Sequence, residues 1–335
     1  RGKQMRPKEY RIKELLRKKG LDGAIVSSPE NFHYVTGFGG HQHTVSRQPG
    51  FTLAVMRADD KVPTHLTTMD FEAATFRIKA AGLNFVVDPY DTWVGLKTWD
   101  EIAHGAVVPD KTAMESSMDK LVQFMKACDL ADKKVGVELD YLPVPYYKSL
   151  TEKFPEAEFV DISDLFVYAR SVKQPDEIEM FRNLCRIADH GFTEVSKIAK
   201  IGVSERELAQ CFREDVIKSG FCAPSSWSMF STGPSSARLT LPGDGVVKDG
   251  DVVKFDAGVN AEFDFYTTDT SRAWIIGNGD PALLKLKDRL YEGQRRMIAA
   301  AKPGLPINEL YHTAYDYVKE MFPCYRRGHQ GHSIS

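Results

Sequence analysis

The sequence predicts a protein of two domains, an α/β domain over residues 1–164 and an α+β domain over residues 165–335 with a largely antiparallel sheet. Its 335 residues are enough for two cores of ordinary size. In the first half, short strand-forming runs alternate with amphipathic helical segments, which is typical of a mixed sheet flanked by helices. In the second half, two long helical segments come before consecutive strand patterns, which favours hairpin pairing.

The composition is that of an ordinary globular protein and excludes several classes of function. The formal net charge is −2, so there is no basic field for nucleic acid or for an anionic membrane. No apolar run approaches the roughly 20 residues that span a bilayer. Residues 1–20 are charged and lack the apolar centre of a signal peptide. Because the five cysteines form no CxxC pair, we expect reduced thiols in a cytoplasmic protein.

The elements of the first domain are predicted from hydrophobic spacing and from breaker residues. Ile12, Leu15 and Leu16 have helical spacing, and their segment ends at Gly20. The apolar runs that follow are short and bounded by turn residues, as buried strands are. These patterns predict helices over residues 7–19, 70–81, 113–131 and up to about 155, and strands over residues 20–28, 51–56, 84–90 and 134–139.

The second domain begins with recognisable helix starts. Pro175, with acidic residues directly after it, predicts the first helix, because negative charge is favoured at a helix N-terminus. Ser204 and Glu207 predict a capping box at the start of the next helix. Beyond Gly220 the pattern changes to strands over residues 225–232, 251–259 and 263–277, followed by helices over residues 281–300 and 306–321.

Two aspartates lie inside predicted strands, where aspartate is disfavoured. If Asp256 pairs opposite Asp269, with a turn centred on Glu262 and Phe263, their Cβ atoms lie about 4.5–5.5 Å apart on one face. Unscreened carboxylates repel at that distance, and a divalent cation removes the repulsion. The hairpin therefore predicts a metal site, with Asp264 as a weaker ligand candidate. The alternative is that the aspartates are solvated residues at strand ends.

A second cluster, YRRGHQGHSIS, lies at residues 325–335. His329 and His332 are flanked by glycines, which allow the backbone to approach a metal closely. Histidine is the commonest nitrogen ligand of Zn and similar ions. The pattern indicates that these histidines contribute to a site, with a surface role as the alternative.

Together with three further segments, these motifs resemble the creatinase/prolidase/aminopeptidase P group of the pita-bread metallopeptidases, family M24. RIKELLRKKGLDGAIVSSPENFHYVTGF is similar to the start of that group's N-terminal domain, and RSVKQPDEIEMFR to the beginning of its catalytic domain. The two-aspartate motif is matched by GDVVKFDAG with YTTDTSRAW, the Lys-Pro-Gly segment by AAKPGLPINEL and the GHGxG motif by GHQGHSIS. The resemblance spans nearly the whole chain and implies a creatinase-like N-terminal domain followed by a pita-bread catalytic domain.

Carried over residue by residue, the resemblance implies that Asp256, Asp269 and His332 are metal ligands. It implies two divalent metal ions, with Mn as the first choice and Co, Zn or Fe as alternatives, that activate a water for attack on a peptide bond. The implied substrate is a peptide with proline at the second position. The group also implies a homodimer, and nothing in the sequence suggests a nucleic-acid or membrane partner.

The resemblance and the local patterns supply further site candidates. His329 is the candidate catalytic residue and is expected to face the substrate, since the family often has a histidine shortly before its metal ligand. Trp227 and Arg238 are candidates for substrate binding. Arg272, beside the second aspartate motif, is expected to form a structural salt bridge.

The sequence also departs from the family pattern. The interval from Asp256 to Asp269 is about two residues longer than usual, so a longer turn is expected. Ser271 stands where threonine is usual, and the histidine that many members carry before the first aspartate motif is absent from residues 239–241. Two glutamate ligands that the family supplies further along are not among these 335 residues, so we expect a truncated catalytic domain.

These departures leave two other functions open. One is a non-peptidase enzyme on the same scaffold, such as a creatinase-like amidinohydrolase or a lyase. The other is a non-catalytic pita-bread binding module. Turnover of Xaa-Pro dipeptides against small guanidino compounds distinguishes the enzymes, and the absence of bound metal would favour the binding module.

Overall fold

The computed structural model describes most of the chain as two compact units. The described residues are 4–92, 98–105, 110–220 and 222–334. The first unit comprises Arg1–Lys173 with the short segment Glu262–Phe265, and the second comprises Gln174–Ala261 with Tyr266–Ser335.

The first unit is built on a six-stranded mixed sheet in the order β4-β3-β2-β1-β5-β6. Its strands are β1 (Gly23–Val26), β2 (Leu53–Arg57), β3 (Thr64–Thr67), β4 (Phe85–Val87), β5 (Lys134–Val137) and β6 (Glu158–Asp161). The pairs β1–β2 and β2–β3 are antiparallel, whereas β1–β5, β3–β4 and β5–β6 are parallel. The predicted mixed sheet is confirmed.

Helices cover both faces of this sheet. They are α1 (Pro7–Lys18), α2 (Pro29–Thr36), α3 (His41–Val45), a 3₁₀ turn (Asp70–Glu72), α4 (Ala73–Lys79), α5 (Trp99–Ala103), α6 (Ala113–Ala127), α7 (Val144–Lys153) and α8 (Ser163–Ser171). The alternation of side chains along β1 explains why the two faces of the sheet carry separate hydrophobic cores. Ala24 and Val26 share a core with Leu16 of α1, whereas Ile25 lies in a second core with Leu121 of α6.

The domain boundary lies further along the chain than the sequence predicts. The predicted boundary at residue 165 falls inside α8, and the chain divides instead between Lys173 and Gln174. Leu165 and Phe166 of α8 are buried in the core of the first unit. Because these side chains complete that core, α8 belongs to the first unit.

The second unit combines long helices with short antiparallel strands. Its elements are α9 (Pro175–Ile198), α10 (Glu205–Lys218), β7 (Cys222–Pro224), β8 (Met229–Thr232), a 3₁₀ turn (Gly233–Ala237), β9 (Val252–Ala257), β10 (Val259–Ala261), β11 (Thr270–Ile275), α11 (Pro281–Ala300) and α12 (Ile307–Met321). Strands β11-β9-β8 form one antiparallel sheet, and β10 pairs with β7. The predicted start of α9 at Pro175 and the Ser204–Glu207 capping box of α10 are both confirmed. Within the residues that the structure describes, no helix has the length and apolar character needed to cross a bilayer.

Strand β9 separates a buried face from an open face. Phe255 is fully buried, with its ring centroid 6.3 Å from Phe192 of α9 and 5.0 Å from Phe230 of β8. Its neighbours Lys254 and Asp256 are only partly buried. Since successive side chains of a strand point to opposite faces, Asp256 lies on the face of the sheet that α9 does not cover.

Candidate metal centre

The hairpin that carries the two aspartates has a different register from the one predicted. Ser271, and not Asp269, lies directly opposite Asp256. The same register continues to the end of the hairpin, where the Ala261 N–H donates to the Tyr266 carbonyl at 2.8 Å. The predicted pairing was therefore wrong by two residues, because four residues rather than two are needed to close the turn.

The corrected register still places the aspartates on one face. Residues two apart on a strand share a face, so Asp269 lies on the same side as Ser271 and Asp256. Asp269 is thus a diagonal neighbour of Asp256, a spacing of roughly 7–8 Å between such positions in antiparallel pairs. Asp264, the weaker ligand candidate, lies in the first compact unit, with its Oδ1 3.2 Å from His33 Nε2.

Gly258 allows the two strands to approach closely beside the aspartates. A Cβ atom added at Gly258 would lie 2.0 Å from the Thr268 carbonyl oxygen and 2.6 Å from Ser225 Oγ. The same position would be 2.9 Å from Cζ2 of Trp227. Only glycine fits there. The indole of Trp227, a predicted substrate-binding residue, therefore packs beside the aspartate hairpin.

The electrostatics at Asp256 indicate that negative charge is concentrated there. Burial raises the pKa of Asp256 above its usual value, and the charge of Asp269 raises it further. The positive charges of Lys254, Arg327 and His332 oppose this increase. A bound cation would favour the ionised form of both carboxyl groups in the same way.

His332 joins the C-terminal motif to the hairpin. Its Nε2 lies 3.0 Å from Oδ2 of Asp269, and its Nδ1 lies 3.0 Å from the Ser333 carbonyl oxygen. The Ser333 carbonyl raises the pKa of His332, and the charge of Asp269 adds to the increase. The imidazole is 57% exposed. Two ligand candidates that are far apart in the sequence are thus in direct contact.

His329 and Arg238 are linked to this group, whereas Arg272 lies on the covered face of the sheet, opposite Phe255. The ring of His329 is exposed, with its centroid 6.4 Å from that of His332. Arg238 is exposed as well, and its carbonyl oxygen accepts a hydrogen bond from Lys254 Nζ at 2.8 Å. The predicted salt bridge of Arg272 is confirmed, since its guanidinium lies 2.7 Å from Asp189.

Sequence reasoning missed three residues that shape this region. Lys254 could have been found, because it stands two positions before Asp256 and must share its face. Arg327 acts on Asp256 from a remote segment, which no local pattern reveals. Glu205 was missed as well. It is 3% exposed and accepts hydrogen bonds from Thr232 N, Ser235 Oγ and Gly243 N, so it fixes the loop that carries Arg238.

The donor set suits a divalent metal in its chemistry. Two carboxylates and an imidazole are ligands that Mn, Fe, Co and Zn accept. In the part of the chain that the structure describes, however, no group of three or more His, Cys, Asp or Glu side chains is placed to hold a metal ion. Asp256, Asp269 and His332 are therefore neighbours with suitable chemistry, but by themselves they do not form a closed coordination set.

Two family models match the chain in separate segments. Residues 179–335 match metallopeptidase family M24, and residues 10–172 match the creatinase/prolidase N-terminal domain. Among curated relatives, the chain is 24% identical over 312 residues to the uncharacterized peptidase YqhT of Bacillus subtilis, covering 92% of this chain and 76% of that protein. It is 29% identical over 216 residues to the Xaa-Pro dipeptidase of Pyrococcus furiosus, covering 62% of this chain and 61% of that protein.

Solved structures share the fold. The Xaa-Pro dipeptidase from Bacillus anthracis superposes with a TM-score of 0.74 at 21% identity, covering 94% of this chain and 77% of that one. The prolidase from Pyrococcus horikoshii superposes with a TM-score of 0.72 at 20% identity, covering 95% of this chain and 78% of that one. At these identities the likeness establishes the pita-bread and creatinase-like fold alone.

Proposed function

Since the chain belongs to the creatinase/prolidase group of metallopeptidase family M24, we propose that it is a metal-dependent peptidase that hydrolyses the bond before proline in Xaa-Pro peptides. The observation that carries this proposal is the contact of Asp269 with His332 at 3.0 Å, beside Asp256 on the open face of the sheet. The Xaa-Pro dipeptidase of Pyrococcus furiosus, at 29% identity, supports the choice of substrate.

In this proposal Asp256, Asp269 and His332 hold the metal. Two divalent ions are expected, with Mn as the first choice and Co, Zn or Fe as alternatives. When bound, such ions supply Lewis acidity and lower the pKa of a water molecule, which makes it a nucleophile near neutral pH. The carboxylates would bind the cations, and Lys254 and Arg327 would favour the ionised form of Asp256.

Three other side chains would act on the substrate. Trp227, packed beside Gly258, would supply an apolar wall for a proline ring. The exposed guanidinium of Arg238 would bind an anionic group of the peptide. His329, with an exposed imidazole beside His332, would exchange a proton between its ring nitrogen and the substrate amine.

The test uses the complete gene product. Bound metal is quantified, and hydrolysis of an Xaa-Pro dipeptide is measured with Mn²⁺ added. Asp269→Asn removes one ligand charge and is expected to lower kcat/KM about 100-fold or more, together with metal content. The matched control is Asp244→Asn, which changes an aspartate that is 91% exposed and paired with Arg206. Unchanged turnover in Asp269→Asn would refute the proposed site.

One observation favours a second candidate function. The loop after Thr232 presents Arg238 with the exposed Leu239 and Leu241, and it contains no histidine at residues 239–241. Because a guanidinium repels another cation and pairs with a carboxylate, Arg238 would bind the carboxylate of a small guanidino acid as an alternative to a peptide. Metal binding without Xaa-Pro turnover, combined with hydrolysis or lysis of such a compound, would establish that function. Absence of metal from the complete protein would favour a binding module.

The assembly is proposed from the family resemblance, and the compartment from the five cysteines that form no CxxC pair. We expect a homodimer in the cytoplasm. Light scattering of the purified complete protein measures the first, and fractionation of cells that express it from its own gene measures the second. A monomer at micromolar concentration or a secreted product would contradict these expectations.

A further inference from the structure

A stack of tyrosine rings runs from α12 to the segment that carries the histidines. Tyr311 and Tyr315 lie one turn apart on α12, with ring centroids 5.0 Å apart and an interplanar angle of 20°. The ring of Tyr325 extends this row at a tilt of 40°, with its centroid 5.5 Å from that of Tyr315. Three aromatic side chains thus connect a regular helix with the residues that follow it.

The hydroxyl groups of the stack bind the backbone of the histidine-bearing segment. Tyr311 Oη donates to the carbonyl oxygen of Arg327 at 2.8 Å. Tyr315 Oη donates to the carbonyl oxygen of Tyr325 at 3.3 Å and accepts from Lys319 Nζ at the same distance. Hydrogen bonds to two main-chain carbonyl groups therefore fix the position of the segment relative to α12.

Two further contacts extend this control toward the histidines. Tyr325 Oη donates to Oε1 of Gln330 at 3.2 Å. Arg327 Nε donates to the carbonyl oxygen of His329 at 3.1 Å. His332, whose Nε2 meets Asp269, lies two residues beyond Gln330. Each residue from Arg327 to His332 is thus at most two positions from a residue that accepts one of these hydrogen bonds.

The segment has few other restraints. Residues 322–334 form neither helix nor strand. Among the residues that the structure describes, nothing lies within 4 Å of a Cβ atom placed on Gly328 or on Gly331. Glycines in open space give the backbone wide conformational freedom, so holding this segment in one conformation costs entropy. Directional contacts to a rigid helix offset that cost.

We propose that Tyr311, Tyr315 and Tyr325 are positioning residues that hold segment 326–332 so that His332 stays in contact with Asp269. The expected effect on metal affinity rests on the proposed metal site, whereas the contacts of the tyrosines with the segment do not. The tyrosines hold His332 beside Asp269 in the metal-free protein, and preorganisation of this kind increases metal affinity.

Limited trypsin digestion of the metal-free protein tests the positioning itself, because the segment carries Arg326 and Arg327. Tyr311→Phe keeps the stacked ring and removes only the donor to Arg327. Cleavage after these two arginines is expected to be about fivefold faster, the effect of losing one net hydrogen bond on a local opening. The matched control is Tyr317→Phe on the same helix, whose hydroxyl makes no hydrogen bond among the described residues.

A second variant keeps the test independent of one side chain. Tyr325→Phe removes the contact with Gln330 and is expected to accelerate the same cleavage. If neither Tyr311→Phe nor Tyr325→Phe is cut faster than Tyr317→Phe in this segment, the positioning inference is overturned.

Metal affinity separates this inference from the proposed function. Titration of the complete gene product with Co²⁺ is expected to give about fivefold weaker binding for Tyr311→Phe than for the original protein, and no change for Tyr317→Phe. If the original protein binds no Co²⁺ or Mn²⁺, the proposed metal site fails while the cleavage rates still decide the positioning. If Tyr311→Phe is cut faster but binds Co²⁺ as tightly as the original, the site stands and the claim that the tyrosines hold His332 for the metal is refuted.

Discussion

Replacing Gly258 with alanine tests whether the close approach of strands at the aspartate hairpin supports the second unit. The new Cβ atom would lie 2.0 Å from the Thr268 carbonyl oxygen, 2.6 Å from Ser225 Oγ and 2.9 Å from Trp227 Cζ2. Two of the three neighbours cannot simply rotate away. Thr268 O is a backbone atom, and Ser225 Oγ is engaged with Asn260 at 2.9 Å. The strands must therefore separate by about 1.5 Å to reach ordinary contact.

The energetic cost follows from overpacking and from the hydrogen bonds that the separation strains. Inserting a methyl group into a well-packed site costs about 1–3 kcal/mol. Two hydrogen bonds join Val259 and Thr268 directly beside this site, at 2.9 Å and 3.0 Å. Weakening them adds about 1 kcal/mol. We expect Gly258→Ala to lower the free energy of unfolding of the second unit by about 3 kcal/mol.

Urea unfolding followed by tryptophan fluorescence measures this loss. With an m-value of about 2 kcal/mol/M, the midpoint of the transition should fall by about 1.5 M. The matched control is Gly328→Ala, where the added Cβ atom has no described neighbour within 4 Å. That change should leave the midpoint unchanged or raise it slightly. If both variants unfold within about 0.3 M of the original protein, the argument from close approach is wrong.

Two further predictions concern other buried groups. Burial lowers the pKa of His43 to about 4, below the reference value of 6.5, so the unfolded chain binds a proton in that interval that the folded chain does not. Stability is therefore complete above pH 6.5 and decreases by up to about 3 kcal/mol as the pH falls toward 4. His43→Gln should remove this part of the pH dependence of stability in urea titrations. The control His41→Gln, at an exposed position, should retain it. Identical pH profiles for the two variants would contradict the assignment of this pH dependence to His43. Glu205→Ala removes the carboxylate that accepts hydrogen bonds from Thr232 N, Ser235 Oγ and Gly243 N, each worth about 1–3 kcal/mol. Limited proteolysis should therefore cut the loop 232–243 much faster than in the exposed control Glu214→Ala. Equal rates would refute the role of Glu205.

Local features of the fold followed from the sequence because their causes are local. The start of α9 at Pro175 and the capping box at Ser204 depend on residues within one helical turn. The strand at Asp256 followed from its apolar neighbours, because a period of two assigns each side chain to a face. The family motifs likewise located both aspartates and His332 in the chain.

The domain boundary and the register of the aspartate hairpin could not be obtained from local sequence patterns. Whether α8 completes the first core depends on where Leu165 and Phe166 find a surface to cover, and that surface is made by distant strands and helices. The register of the hairpin depends on how many residues close the turn. A local pattern fits a turn of two residues or of four equally well.

The sequence by itself therefore supplied the candidate residues for the chemistry and determined the face of β9 on which Asp256 lies. Only the tertiary structure decided their neighbours: Ser271 opposite Asp256, His332 against Asp269, Arg327 acting on Asp256, and a tyrosine stack that holds the histidine segment. The physical reason is the distance along the chain over which each interaction acts. Side-chain periodicity is set by the backbone over a few residues, whereas contacts between remote segments are selected by packing, charge and hydrogen bonding of the whole folded chain.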